Sequence, residues 1–124
     1  MKRFVIAAAV VGTMLIAPAA HAATWTTVAT RTATGESVKV ISESLSQPVA
    51  LRLRSTSQTE GAVAWVVSCA LGTDVQAKSG SWFPALGSDR KRLPVPLDHP
   101  DTCDVYVSIN AAGPDALRVS LQMQ

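Results

Sequence analysis

Hydrophobic positions alternate with small or polar ones over most of the chain. The clearest case is residues 62–71, where one face carries Val63, Trp65, Val67, Cys69 and Leu71. Successive side chains of a β-strand point to opposite faces, so a two-residue period predicts a strand. The other face of this segment holds only Ala, Val and Ser, which favours a place in the middle of a sheet. No segment keeps a 3.6-residue period for three turns, so no helix is predicted.

Seven further segments alternate, three of them clearly. The clear ones are 49–54, 103–110 and 117–123, and the weaker ones are 24–32, 36–45, 90–97 and the ambiguous 75–83. The hydrophobic phase slips between Val40 and Ile41, which predicts a β-bulge at that point. Pro94 and Pro96 lack the amide donor that a ladder needs, so 90–97 is predicted to be an edge strand or an extended segment.

Turn-forming residues separate these segments at short intervals. They are Gly35, Gln47-Pro48, Glu60-Gly61, Gly72-Thr73-Asp74, Gly87-Ser88-Asp89, residues 98–101 and Gly113-Pro114-Asp115. Seven or eight short strands in about 100 residues predict an all-β fold, an antiparallel two-layer β-sandwich. Its general architecture is compared with the immunoglobulin fold, in which a tryptophan packs on a buried disulfide. This comparison is an analogy, because Trp65 precedes both cysteines of the chain instead of lying between them.

Residues 1–22 are predicted to be a secretory signal peptide. Lys2 and Arg3 precede an apolar run, and Ala20-His21-Ala22 has the small-residue pattern of a cleavage site. The apolar run has about 14 residues, fewer than the roughly 20 that span a bilayer, so a signal is favoured over a membrane anchor. Residues 23–124 then form a single domain. We expect a secreted, extracellular monomer that does not insert into membranes.

The net charge of the chain without the predicted signal peptide disfavours several classes of function. The whole chain has 11 basic and 9 acidic residues, and the leader contains two of the basic ones, which leaves the mature chain neutral. His99 is the one histidine that remains. These counts disfavour a nucleic-acid binder driven by net charge, a polybasic membrane binder and a multi-histidine metal site. We therefore predict no nucleic acid, no metal and no cofactor.

Cys69 and Cys103 are the only cysteines. An even count in an exported chain predicts one disulfide, and two cysteines allow a single intramolecular pairing. A metal pair and a catalytic thiol are the alternatives. Neither cysteine has a neighbouring histidine or a CxxC spacing, so the structural disulfide is favoured.

Four stretches of residues 23–124 resemble a group of small exported proteins of unknown function from actinobacteria. They are Ala23-Thr24-Trp25, Trp65-Val66-Val67-Ser68-Cys69, the Leu93–Pro100 stretch that leads to Cys103, and residues 117–124. The resemblance implies a secreted β-sandwich with one disulfide. The matching residues are mostly structural, so no catalytic residue is carried over.

The histidine lies in an acidic stretch, Asp98-His99-Pro100-Asp101, with Asp104 shortly after it. Carboxylate and imidazole groups can bind a divalent cation, but the spacing matches no calcium loop. We favour a turn in which the aspartates accept hydrogen bonds from nearby amides. A serine triad through His99 would lack the G-x-S-x-G elbow, so no catalytic residues are predicted.

Two neighbouring segments are the candidates for binding. Trp82 and Phe83 are adjacent, so in a strand they point to opposite faces and at most one enters the core. Exposed aromatic residues beside a loop are common contact residues for protein or sugar partners. The second segment is the basic cluster Arg90, Lys91 and Arg92.

The basic cluster has two interpretations. If it shared a face with Arg52, Arg54 and Arg118, the residues would form a cationic patch for an acidic polymer such as a teichoic acid or an anionic glycan. The alternative is that charges on exposed edges block unwanted strand pairing. Zero net charge favours the second interpretation.

These observations predict a non-catalytic binding or structural module of the extracellular space or cell surface, with a protein or glycan partner. Its contact surface is expected to use Trp82, Phe83 and the loop 90–92. One alternative is a small secreted inhibitor of proteases or other hydrolases that presents residues 80–92 as a rigid loop. A small hydrolase that uses His99 ranks last.

Overall fold

The structure, a computed structural model, describes residues 24–35 and 37–124, so the predicted signal peptide lies outside the described residues. Eight β-strands account for the fold. They are β1 (Thr26–Ala33), β2 (Val38–Ser46), β3 (Leu51–Ser57), β4 (Gly61–Leu71), β5 (Asp74–Trp82), β6 (Gly87–Leu93), β7 (Thr102–Ala111) and β8 (Leu117–Met123). None of the described residues forms a helix, so none of them provides a helical membrane span.

The strands form two antiparallel sheets of four. Sheet A has the order β1-β8-β3-β6, and sheet B has the order β2-β7-β4-β5. The predicted two-layer β-sandwich is confirmed. The first strand pairs with the last, the second with the seventh, the third with the sixth and the fourth with the fifth. This nested pairing is the strand order of a jelly roll, so the likeness to the immunoglobulin fold is limited to the two-layer architecture.

The core lies between the inner faces of the two sheets. Its largest fully buried side chains are Ile41, Leu51, Leu53, Ile109, Leu117 and Leu121, with five valines and Cys69 around them. Full burial of one such aliphatic side chain stabilises the fold by about 1.5–3 kcal/mol. The alternation predicted for 62–71, 103–110 and 117–123 is confirmed by strict in–out burial along most of β4, β7 and β8.

The predicted disulfide is confirmed. Cys69 on β4 and Cys103 on β7 are directly opposite each other in sheet B, and their sulfur atoms are bonded at 2.07 Å. Both residues are fully buried. The bridge therefore crosslinks two neighbouring central strands of one sheet instead of joining the two sheets.

The bulge predicted between Val40 and Ile41 is wrong. Strand β2 pairs with β7 without a register shift from Val38 to Ser46. Val38 and Val40 lie on the solvent-facing side of sheet B, while Ile41 lies in the core. Because these outward residues are hydrophobic, the sequence pattern resembled the change of phase that a bulge produces. The structure places a register shift in β1 instead, between Thr27 and Ala29.

Two edge strands border one side of the sandwich. Strand β5 is the edge of sheet B, and residues 74–79 of it are exposed on both faces. Strand β6 is the edge of sheet A and ends at Leu93, directly before Pro94. The predicted edge strand is thus confirmed for residues 90–93 of the segment 90–97. Residues 83–86 connect the two edges.

Gly80 allows the indole of Trp65 to lie against β5. A Cβ atom at this position would stand 2.6 Å from Cζ2 of Trp65, which is itself buried. We expect Gly80→Ala to lower the free energy of unfolding by about 1–3 kcal/mol, because the buried ring has to move. Urea denaturation measures this, and the outward-facing Ser81→Ala on the same strand is the control, expected within about 0.5 kcal/mol. Equal stability of the two variants would contradict the packing argument.

Candidate functional site

The outward side chains of sheet A form three rows of four, and the register shift of β1 between Thr27 and Ala29 brings Thr27 and Thr30 into successive rows. The rows are Thr27–Gln122–Arg52–Arg92, Thr30–Ser120–Arg54–Arg90 and Thr32–Arg118–Thr56–Ser88. We call these twelve positions the arginine face. Five of them are arginines, and none is an aspartate or glutamate. The two arginine groups considered in the sequence therefore share one face.

Protection of sheet edges does not account for this arrangement. Arg90 and Arg92 lie on the edge strand β6, where charges do block unwanted pairing. Arg52 and Arg54 lie on β3, and Arg118 lies on β8, both of which are interior strands with neighbours on each side. Three of the five guanidinium groups consequently need another explanation.

A hydrogen-bonded row holds Arg52 in place. Its Nε donates to Oε1 of Gln122 at 2.6 Å, and Nε2 of Gln122 donates to Oγ1 of Thr27 at 3.0 Å. In the next row the hydroxyl groups of Thr30 and Ser120 are hydrogen-bonded at 2.8 Å. These bonds fix side chains across three strands, so part of the face is ordered before any partner arrives.

Trp25 covers one end of the arginine face. The guanidinium carbon of Arg52 lies 4.3 Å from the centre of the indole ring, and that of Arg92 lies 5.3 Å from it. Each such cation–π contact contributes about 0.5–1 kcal/mol at an exposed site. The indole thereby holds two like-charged groups side by side, and it attaches the segment before β1 to sheet A.

Within the described residues no carboxylate oxygen lies within 4 Å of an arginine or lysine side-chain nitrogen. The one carboxylate–cation contact at that distance there joins Asp98 to the imidazole of His99, outside sheet A. The pKa of Arg52 lies below its ordinary value, first because of desolvation and then because of the charges of Arg90, Arg54 and Arg92. A guanidinium group still stays protonated at neutral pH. The face therefore carries concentrated positive charge on a chain whose predicted mature form is neutral.

Shallow depressions separate the arginines. One of about 230 Å³ is bordered by Arg54 and Arg118 and is floored by the small polar side chains of Thr56 and Ser120. A second of about 370 Å³ lies between Arg54 and Arg90 beside Ser88 and Asp89. Guanidinium groups next to hydroxyl groups suit a ligand that has both anionic and hydroxyl functions.

The structure separates the five residues predicted to bind a partner. Trp82 is 8% exposed and belongs to the core, so it offers no contact surface, whereas Phe83 is 74% exposed. Phe83 borders a small depression at the end of sheet B, next to Gly61 and Asn110. Residues 90–92 are a strand instead of a loop, and Lys91 points away from the arginine face that Arg90 and Arg92 share.

Trp25 and Gln122 were missed as site residues. Their role depends on side-chain contacts across β1, β8, β3 and β6, and no local sequence pattern reveals which strands are neighbours. The segment 80–92, considered as an inhibitory loop, consists of the ends of two edge strands and a four-residue crossing.

Asp89 organises that crossing. Its carboxylate accepts hydrogen bonds from the backbone amides of Ala85 and Arg90, both at 2.8 Å. The amide of Ala85 first and that of Arg90 second hold the pKa of Asp89 below its ordinary value, with smaller contributions from the Trp82 side chain and the Arg90 charge. The ionised carboxylate therefore stabilises the fold above the ordinary pKa of aspartate, about 4, and this contribution is lost as pH falls through the lowered value.

We expect Asp89→Asn to lower the free energy of unfolding by about 1 kcal/mol at pH 7, a small value because the carboxylate is half-exposed. The difference from the wild type should shrink as pH falls from 7 to 2, because the folded chain loses the ionised carboxylate as pH passes through its lowered pKa. Denaturation at both pH values measures this. Asp115→Asn, in the exposed β7–β8 loop, is the matched control. A difference as large at pH 2 as at pH 7 would show that the carboxylate charge is not the cause.

The acidic stretch around His99 is an irregular connection with bends at residues 97–99 and 101, and Asp104 already lies in β7. Oδ2 of Asp101 accepts a hydrogen bond from the amide of Gly72 at 3.0 Å, and Asp104 accepts one from the hydroxyl of Ser44 at 2.5 Å. His99 has a φ of 51° and is highly exposed, with Oδ1 of Asp98 at 3.8 Å. Across residues 24–35 and 37–124, no three acidic, histidine or cysteine side chains are grouped to hold a metal.

A cavity of about 610 Å³ lies near His99 at the end of the sandwich. Pro48, Val49, Val95 and Leu97 give it an apolar wall. Its acidic and histidine side chains are the exposed pair Asp98 and His99, and no hydrogen bond joins His99 to a serine or threonine hydroxyl in the described part of the chain.

No protein-family model matches the chain, and no curated protein sequence is significantly similar to it. The resemblance to small exported actinobacterial proteins remains a prediction. Interpretation of the site therefore rests on its own geometry and charge.

Proposed function

We propose that this protein is a secreted, non-catalytic binding module that holds an anionic polymer against the arginine face. The observation that supports this is the charge pattern: five guanidinium groups on three adjacent strands, with no carboxylate at the twelve outward positions. Clustering like charges costs folding free energy, about 0.5–1 kcal/mol for two groups 5–7 Å apart in water. An anionic partner removes that cost when it binds.

The shape of the site favours a polymer over a small ligand. A small-molecule site is usually a concave pocket that encloses most of its ligand. Here the charges are spread over three rows, about 14 Å from first to last, and the depressions between them are shallow. An extended polyanion can contact all three rows at once, and each guanidinium group can donate two hydrogen bonds to one phosphate, sulfate or carboxylate group.

An extracellular location fits the same proposal. A buried disulfide is compatible with an extracellular protein, and residues 1–22 have the pattern of a secretory signal. The partner would then be an anionic polymer of the extracellular space or the cell surface. Because the predicted mature chain is neutral, attraction acts only through the correctly oriented face.

Two double variants with equal changes of net charge test the proposal. Arg90→Gln with Arg92→Gln removes two charges from the arginine face. Arg31→Gln with Lys91→Gln removes two charges from strands β1 and β6 at positions that face the other way. We expect the first to weaken binding to an immobilised polyanion by about tenfold or more, and the second by less than about twofold.

Poly(glycerol phosphate) and polygalacturonate serve as immobilised polymers, at low salt. Equal weakening by the two double variants would show that net charge, and not this face, controls binding. Failure of the wild-type protein to bind either polymer would overturn the proposed function.

A further inference from the structure

Successive outward positions on a strand of the arginine face are separated by a fixed number of backbone bonds, and the phosphates of some anionic polymers are separated by the same number. We infer that the bound polymer is a polyol phosphate, a linear chain of three-carbon polyol units joined by phosphodiesters. This inference rests on the function proposed above and names the chemical class of the partner.

The first step is the spacing of positive charge. Outward positions of a strand recur every two residues, which is six backbone bonds and about 7 Å. The first row holds Arg52 and Arg92, the second Arg54 and Arg90, and the third Arg118. Positive charge is thus present in three successive rows along the strand direction.

The second step is the spacing of negative charge in the polymer. Two neighbouring phosphorus atoms of a three-carbon polyol phosphate are also six bonds apart: two P–O, two O–C and two C–C bonds. Three backbone bonds of an extended polypeptide span about 3.6 Å at most, so six single bonds span about 7 Å. A polymer laid along β3 therefore brings one phosphate to each row.

The third step is the chemistry between the charges. In the central depression the hydroxyl groups of Thr56 and Ser120 lie between Arg54 and Arg118. Guanidinium groups donate to phosphate oxygens, while hydroxyl groups can donate to and accept from the hydroxyl groups of the polyol. Asp89 borders the neighbouring depression, but its carboxylate accepts from the amides of Ala85 and Arg90.

Two other polyanions match the face less well. Single-stranded nucleic acid also has six bonds between phosphates, but its bases stack on exposed aromatic rings. Among the described residues Trp25 is the aromatic side chain at this face, and Arg52 and Arg92 already cover its ring. In a two-fold extended polyuronate, carboxylates on the same side are two sugar rings apart, which is longer than the row spacing.

Titration of the disulfide-bonded protein with matched oligomers tests the inference. The probes are glycerol phosphate oligomers with one to five phosphates, galacturonate oligomers with one to five carboxylates, and oligothymidylates with one to five phosphates. We expect glycerol phosphate affinity to rise steeply up to three phosphates, one for each row, and to exceed that of the matched galacturonate by about tenfold.

Two variants test which side chains of the arginine face hold the glycerol phosphate oligomer. Arg118→Gln removes the charge of the third row, so the steep rise should end at two phosphates. Thr56→Val keeps shape and charge but removes a hydroxyl, and it should weaken glycerol phosphate binding by about threefold while leaving the binding of oligothymidylate, whose inner sugars have no free hydroxyl, unchanged. Both positions are exposed, so both variants are expected to fold.

The possible outcomes are distinct. Equal affinity for glycerol phosphate and galacturonate oligomers would overturn the inference while leaving the proposed function intact. Tighter binding of oligothymidylate would assign the face to nucleic acid instead. If the affinity of Arg118→Gln for glycerol phosphate oligomers still rises steeply up to three phosphates, the three rows do not each hold one phosphate. Absence of binding to all three series would overturn both proposals.

Discussion

Replacing both cysteines, by Cys69→Ala with Cys103→Ala, is expected to lower the free energy of unfolding by about 4 kcal/mol. The bridge closes a loop of 34 residues in sequence separation, and in the chain-entropy model a loop of this size restricts the unfolded chain by about that amount. Domains of this size have total stabilities of about 5–15 kcal/mol. The loss is thus a large fraction of the total, and urea denaturation at neutral pH measures it.

Two comparisons separate the crosslink from the packing of the sulfur atoms. Wild-type protein kept reduced by a thiol reagent loses the crosslink but keeps both sulfur atoms, and it should not recover wild-type stability. Val67→Ala, a fully buried neighbour on β4, disturbs the same part of the core but leaves the bridge in place. If the double cysteine variant loses less stability than Val67→Ala, the loop-closure argument fails.

Binding of poly(glycerol phosphate) is expected to weaken by about twentyfold between 50 and 200 mM salt. A chain that lays one phosphate on each of the three rows releases its condensed counterions there, and the slope of log affinity against log salt is about −0.7 for each neutralised phosphate of a single-stranded polyanion. Three phosphates give a slope of about −2.1. Titration at four or five salt concentrations measures it.

The slope of log affinity against log salt should depend on the charges of the arginine face and not on the net charge of the protein. Arg90→Gln with Arg92→Gln should make it shallower, because the first two rows each keep only one of their two guanidinium groups. Arg31→Gln with Lys91→Gln should leave it unchanged. A wild-type slope shallower than about −1 would mean that the arginines do not hold the polymer through their charge.

The strands were predictable wherever one face of the sheet is buried and the other is polar. Strand β7 alternates strictly, and β8 matches its predicted bounds. The segments 36–45 and 75–83 also coincide with β2 and β5, but the bulge placed in β2, where Val38 and Val40 face solvent, was wrong, and β5, where Asp74 to Ser79 are exposed on both faces, was ambiguous. Hydrophobic alternation reports burial, so it describes poorly the strands whose burial does not alternate.

The arginine face was predictable only in part. The two-residue period placed Arg52, Arg54 and Arg118 on the polar sides of their strands, and this was correct. Whether those sides coincide with that of Arg90 depends on the order of strands in the sheet, which comes from pairing over long sequence distances. For the same reason the sequence did not reveal that Trp25, before the first strand, stacks on arginines of the third and sixth.

The nested pairing of the jelly roll has a consequence for when the protein can fold. Strand β8 lies between β1 and β3, so sheet A has no continuous middle until Leu117–Met123 is available. Most strand pairs join distant parts of the chain, which also makes folding slow. A chain emerging from the ribosome therefore cannot complete the sandwich until its last strand has been made. This delay fits the secretion predicted from residues 1–22, because a channel that threads unfolded polypeptides needs cargo that has not yet folded.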